Sequence, residues 1–143
     1  MSDTRNFVTF DADFIDDAKW TDDGDLVSPG GRAIADALVV ALRGEGGIAS
    51  AVAQQSFYGW TFAVSFDGVE VNCVLQAGDS WLLTSTRKLA LIDRLVSSHS
   101  PAFKEFLQLL HRILANDQRF SKVLWHSRED YEAGKVDRAC QTP

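Results

Sequence analysis

The chain has 143 residues, of which 45% are hydrophobic, and carries a formal net charge of −6 at pH 7. This length supplies enough apolar surface for one core, so we expect residues 1–143 to form a single domain that needs no disulfide. The negative charge argues against nucleic acid or an anionic membrane as the main partner, and no apolar run approaches the roughly 18 residues that span a bilayer.

Residues 1–27 are predicted to form a strand followed by an acidic loop. Residues 6–10 (NFVTF) have the composition of a strand, and Lys19 is the one base in the stretch that follows. Large apolar groups are rare in disordered tails, so we expect Phe14 and Trp20 to hold this loop against the domain. The aspartates that would face water are at positions 11, 13, 16, 17, 22, 23 and 25.

The phrase FVTFDADF, an apolar strand ending in Asp11 and Asp13, resembles the first motif of haloacid-dehalogenase-type phosphotransferases. The resemblance implies that Asp11 would be the nucleophile and Asp13 the general acid/base. The residues that follow, Phe14 and Ile15, depart from the Thr or Val of the family motif, and the family needs a parallel sheet. We therefore favour a strand end followed by solvated acids.

A helix is predicted over residues 30–43. Ser28 and Pro29 form a cap-plus-proline start, and Gly44 supplies a left-handed C-terminal cap. Residues 48–55 (IASAVAQQ) fit either a continuation of the helical region or another strand, and we favour the strand. The apolar stripe of the helix has the expected spacing, at Ile34, Leu38, Ala41 and Leu42.

Residues 58–86 are predicted to form a three-strand antiparallel meander around which the fold is organised. Asp67-Gly68 between alternating apolar residues is a strong hairpin signal, because a type I′ turn needs positive φ at both central positions. The two-residue loop fixes the register, and every pair on one face is then apolar: Phe66 with Val69, Val64 with Val71, Phe62 with Cys73 and Trp60 with Leu75.

Gly78-Asp79 is a weaker signal for the second turn of the meander. A two-residue loop there would pair Leu75 with Leu82 on the core face. Trp81 and Leu83 would then lie on the second face of the sheet. That face would be either a second packing layer or an exposed apolar patch that binds a partner.

Two further helices are predicted over residues 88–97 and 101–115, and a final strand over residues 120–126. Ser127 would cap a short helical turn, and residues 135–143 would be frayed. This order of elements predicts an α+β fold in which helices pack on one face of an antiparallel sheet of four or five strands.

The sequence predicts no catalytic residue, metal site or cofactor. The histidines lack the spacing of metal ligands, and the aspartates from Asp22 to Asp25 lack the spacing of an EF-hand loop. Cys73 and Cys140 belong to no CxxC pair, and a thiol in mid-strand would be buried and inert. We therefore expect two free thiols in a reducing compartment, the cytoplasm.

The function expected first is a non-enzymatic module that binds another protein. In size, charge and element order the chain is similar to small acidic bacterial proteins that neutralise or escort a partner, such as toxin-immunity proteins and secretion chaperones. A basic partner would dock on the acidic loop. The candidate residues are Asp16, Asp17, Trp20, Asp22, Asp23 and Trp81.

The alternative is a small-molecule binder or enzyme with a pocket between the sheet and the helices. Its candidate residues are Arg87, His111 and His126. Such a site requires a cavity with convergent polar groups. A homodimer through edge strands or the Trp81–Leu83 face is compatible with either function.

Overall fold

The structure, a computed structural model, describes residues 4–55, 59–88 and 101–143. Apart from Lys88, the helix predicted over residues 88–97 lies outside these ranges. The described elements are β1 (Phe7–Ala12), β2 (Lys19–Trp20), β3 (Leu26–Ser28), α1 (Arg32–Gly44), β4 (Ile48–Ala49), β5 (Ala53–Gln55), β6 (Gly59–Phe66), β7 (Val69–Gln76), β8 (Trp81–Arg87), α2 (Pro101–Asn116), β9 (Phe120–His126), α3 (Arg128–Glu132) and a 3₁₀ helix (Val136–Arg138).

The main sheet is antiparallel, with the strand order β4-β6-β7-β8-β1-β9 and β5 also paired to β6. The predicted α+β architecture is confirmed, as is the preference for strand over helix within residues 48–55. A second sheet contains only β2 and β3 and lies within the segment predicted as a loop.

The first hairpin has the predicted turn and register. Asp67 and Gly68 have φ values of 48° and 80°, as a type I′ turn requires. All the apolar pairs predicted for one face are present, from Phe66 opposite Val69 to Trp60 opposite Leu75. Because strand side chains alternate, this register directs the apolar set of both strands to the same face, where the helices pack.

The register predicted for the second hairpin is wrong by one residue. Leu75 pairs with Leu83, and Gln76 pairs with Leu82, so the connection is longer than the two residues Gly78-Asp79. A shift of one residue moves side chains to the opposite face. Leu83 is consequently fully buried in the core, and the predicted Trp81–Leu83 outer face does not exist.

The core lies between the sheet and the helices α1 and α2. Phe66 contacts Phe106 of α2, with ring centroids 6.1 Å apart, and the indole nitrogen of Trp60 donates to the carbonyl of Pro29 before α1. The fully buried side chains come from both layers, as expected for helices packed on one sheet face. They include Val8, Phe10, Ile34, Leu38, Leu42, Leu75, Phe106, Leu110, Leu114 and Trp125.

The predicted helix start at Ser28-Pro29 is wrong, because Ser28 ends β3 and α1 begins at Arg32. Gly31 occupies the N-cap position with φ 106°, and because glycine has no side chain it cannot itself cap the helix. A Cβ atom at Gly31 would lie 2.6 Å from Cζ3 of Trp81. Glycine at this position therefore permits both the left-handed backbone and the close packing of Trp81.

The C-terminal elements complete the side of the main sheet that ends with β9. β1 lies between β8 and β9, and Ser127 caps α3 by accepting from the backbone N–H of Asp130 at 3.1 Å. Within residues 135–143, which are expected to fray, Cys140 exchanges two backbone hydrogen bonds with Trp125 along the edge of β9. Within the described ranges, no helix has the length and apolar character needed to cross a membrane.

Gly31→Ala is expected to lower the free energy of unfolding by about 2 kcal/mol, because it adds left-handed strain and a contact with Trp81. Gly44→Ala is the matched control: its Cβ would meet no atom within 4 Å. The control should leave stability unchanged or raise it by up to about 1 kcal/mol. Urea titrations followed by circular dichroism would measure both, and equal effects would contradict the assigned role of Gly31.

Candidate functional site

The candidate site is the acidic arm, which we define as residues 13–28. It contains the small β2–β3 sheet and the turn between the two strands. Thr21 organises the turn: its backbone N–H donates to the carbonyl of Asp25 at 2.7 Å, and its hydroxyl accepts from the N–H of Asp25 at 3.0 Å. Gly24 closes the turn with φ 91°. The arm is therefore a defined hairpin rather than the predicted loop.

Asp17 ties the middle of the arm to the start of α1. Its two carboxylate oxygens accept from the backbone N–H groups of Gly31 and Ala33, each at 2.8 Å. These are N–H groups that a helix leaves without an internal partner, and the helix dipole favours a negative charge there. Asp17, predicted as a partner-binding residue, thus has a structural role as the distant cap of α1.

Phe14 attaches the base of the arm to β9, as predicted. Its ring packs against Phe120, with centroids 5.3 Å apart, and the guanidinium of Arg119 lies 4.3 Å from its centroid. The N–H of Asp13 also donates to the carbonyl of Arg119 at 2.7 Å. Asp117 accepts from that guanidinium, and this hydrogen bond lowers the pKa of Asp117.

Trp20 does not hold the arm against the domain, contrary to the prediction. Its side chain is 61% exposed, and two other apolar residues of the arm are similarly open, Ile15 at 88% and Val27 at 50%. Sequence reasoning did not single out Ile15 or Val27 as surface residues. Both resemble core residues by type, and no periodicity in this short segment distinguishes them.

The exposed carboxylates of the arm have no ion-pair partner among the described residues. Asp16 accepts a hydrogen bond from the N–H of Ala18 within its own turn, and it keeps its charge facing water. Lys19 is the one base of the arm. The arm is thus a local concentration of uncompensated negative charge at Asp13, Asp16, Asp22, Asp23 and Asp25.

Trp81 lies at the base of the arm rather than on an open sheet face. It begins β8, is half-buried, and packs against Gly31, whose N–H is held by Asp17. The structure therefore places Trp81 beside the arm as part of its support. Of the predicted partner-binding residues, the exposed ones are Asp16, Trp20, Asp22 and Asp23.

The three residues of the alternative pocket do not come together. His111 lies on the helix side of the sheet, where its Nδ1 accepts from the indole nitrogen of Trp125 at 3.0 Å. His126 follows Trp125 in β9 and therefore faces the opposite side, where its Nε2 lies 2.9 Å from Oγ1 of Thr9. Arg87 ends β8, and the cavity that it lines contains neither histidine.

The other residues that could have carried chemistry, Cys73 and Asp11, lie in surroundings that do not favour a reaction. Burial raises the pKa of the Cys73 thiol to about 12, which makes it unreactive. Asp11 pairs with Lys122 at 3.5 Å and accepts from the Ser80 hydroxyl at 3.3 Å in an antiparallel sheet, unlike the parallel sheet of the phosphotransferases. Within the described part of the chain, no His, Cys, Asp and Glu side chains cluster in a group that could hold a metal ion.

Comparison with protein-family models, curated proteins and solved structures gave no significant match.

Asp17→Ala is expected to lower the free energy of unfolding by about 1 kcal/mol, because two N–H groups of α1 lose their acceptor. Asp22→Ala, a matched change at an exposed position of the same arm, should alter stability by less than about 0.5 kcal/mol. Chemical denaturation of both variants would test the difference. If the two variants were equally stable, Asp17 would not be the cap of α1.

His126 is expected to make stability depend on pH. Burial lowers its pKa, partly opposed by Asp130, and its Nδ1 has no hydrogen-bond partner among the described residues. The unfolded chain therefore takes up the proton first. The stabilisation is complete above the unfolded pKa of about 6.5 and is lost as pH falls below it, with a slope no greater than about 1.4 kcal/mol per pH unit.

The measurement is the free energy of unfolding between pH 7.5 and 5.5 for the parent chain and His126→Gln. The His126 variant should show a smaller slope than the parent chain. Identical slopes for the parent chain and His126→Gln would show that the buried imidazole is not responsible.

Proposed function

We propose that the protein is a non-enzymatic binding module that recognises a basic partner protein through the acidic arm. The observation that carries the proposal is the combination of unpaired exposed aspartates with the exposed indole of Trp20 on one defined hairpin. Complementary charges accelerate encounter and select the partner, and a tryptophan supplies the apolar contact that gives most affinity.

The chemistry of the arm indicates the partner segment. Lys or Arg side chains would approach Asp22, Asp23 and Asp25, and a cation or an apolar side chain would pack on the Trp20 ring. Asp17 and Phe14 hold the arm at its middle and base, so the hairpin is already ordered before binding. Such preorganisation lowers the entropic cost of association.

A module of this kind would neutralise or escort its partner. It would cover a basic surface of that partner without changing it chemically. The two free cysteines, Cys73 and Cys140, are compatible with the proposed cytoplasmic location. A homodimer through an edge strand remains a separate proposal. The Trp81–Leu83 face cannot serve it, because Leu83 is fully buried.

The charge-reversal test uses Asp22→Lys/Asp23→Lys and a Lys/Arg-rich peptide with one central leucine as the probe. The affinity of the parent chain for the peptide should fall as salt rises, and the double variant should weaken binding by about tenfold or more at low salt. The control is Asp79→Lys/Glu105→Lys, which makes the same change in net charge at exposed positions outside the arm. Isothermal titration calorimetry gives all three affinities.

An equal loss in both double variants would mean that only the net charge matters, and unchanged affinity in Asp22→Lys/Asp23→Lys would remove the arm from the proposal. The apolar contribution is tested separately by Trp20→Ala against Val40→Ala, another exposed apolar residue, on α1. Trp20→Ala should lose about tenfold in affinity and Val40→Ala nothing, because truncation of a tryptophan hot spot removes the central apolar contact.

A further inference from the structure

We propose that Arg87 and Arg128 form a binding site for a small molecule that carries a phosphate or carboxylate group. The site is the Arg87 pocket, a cavity of about 280 Å³ at the end of the main sheet. It is distinct from the acidic arm and does not depend on the function proposed for it. The described residues that line it are Thr4, Asn6, Thr86, Arg87, Phe103, Ser127, Arg128 and Glu129.

The sheet topology explains why these residues meet. β8 and β9 both pair antiparallel with β1, so β8 and β9 run parallel to each other. Their carboxyl ends therefore lie at the same end of the sheet. Arg87 is the last residue of β8, and Arg128 follows β9 by two positions. Two cationic side chains that are far apart in sequence are thereby brought to one cavity.

The cavity has the donors that an oxyanion needs. The guanidinium of Arg87 forms no side-chain hydrogen bond or ion pair with any described residue, so it can donate to a ligand. Arg128 uses Nε for Glu132 at 3.1 Å, which leaves its terminal nitrogens as donors. Guanidinium groups bind phosphate and carboxylate through paired hydrogen bonds that are about twice as strong as neutral ones.

Polar side chains surround the two arginines. The Ser127 hydroxyl accepts from the N–H of Asp130 and retains its own proton for donation. Asn6 is held in place by its side-chain amide, which donates to the carbonyl of Ser85 at 2.8 Å. Among the described residues, the lining contains the two arginines and the carboxylate of Glu129, and Arg128 is also paired with Glu132.

The volume of the cavity and its apolar lining residue restrict the size and chemical type of the ligand. A cavity of about 280 Å³ suits a metabolite-sized molecule and excludes a folded partner. Phe103 of α2 contributes an aromatic surface to the lining, so a ligand with a small ring or alkyl portion beside its anionic group should bind better than a bare anion.

The test is a titration of the isotopically labelled protein with inorganic phosphate, phenyl phosphate and benzoate, followed by amide chemical shifts at constant ionic strength. Saturable shifts are expected at Asn6, Thr86 and Ser127, with tighter binding of at least one aromatic anion than of phosphate. Comparison of phenyl phosphate with benzoate distinguishes the phosphate from the carboxylate form of the ligand.

Arg87→Gln and Arg128→Gln should each weaken binding by roughly tenfold or more, since each removes charge-assisted hydrogen bonds. Arg112→Gln, at an arginine that lines a separate shallow groove, should bind like the parent chain. The arm variant Asp22→Lys/Asp23→Lys should also keep the anion site. Absence of saturable shifts with all three probes, or equal binding by a folded Arg87→Gln variant, would overturn the proposal.

Discussion

The carboxylate of Asp17 joins the acidic arm to the start of α1. It accepts two N–H groups at the start of α1 from fourteen and sixteen positions away, which satisfies donors that the helix cannot satisfy itself. Gly31 supplies the left-handed turn that makes this geometry possible and leaves room for Trp81. The arm, the start of α1 and Trp81 of β8 therefore meet at this contact.

The part of the fold that the sequence predicts best is the part in which local chemistry determines the backbone. Asp67-Gly68 adopts positive φ at both positions, and the apolar alternation on both strands agrees with that turn. Gly78-Asp79 has no comparable constraint. One additional residue in that connection reversed the faces of Trp81 and Leu83, which explains why an expected outer surface belongs to the core.

The candidate site was predictable in composition but not in detail. The acidic stretch and its tryptophan are evident in the sequence, whereas the different roles of its aromatic residues depend on tertiary structure. Phe14 packs against Phe120, and Trp20 is 61% exposed. The cap by Asp17 is invisible to local patterns, because Ser28-Pro29 provides a stronger local signal for a helix start. The Arg87 pocket likewise depends on strand order, which brings together residues from both ends of the chain.

We propose separate tasks for the two charged regions of the molecule. The arm concentrates negative charge around an exposed indole on a braced hairpin, which suits a basic protein surface. The Arg87 pocket is a partly open cavity lined by two arginines, which suits a small anion. The sheet supports both regions. The thiol of Cys73 within it is too deeply buried to react.

The most direct test of the central claim is to locate the bound basic peptide by amide chemical-shift mapping at low salt. The largest shifts are expected within residues 13–28, with the indole N–H of Trp20 among them, and they should vanish at high salt. Large shifts on the outer face of β6 and β7, with the arm unchanged, would contradict the account and place recognition elsewhere on the molecule.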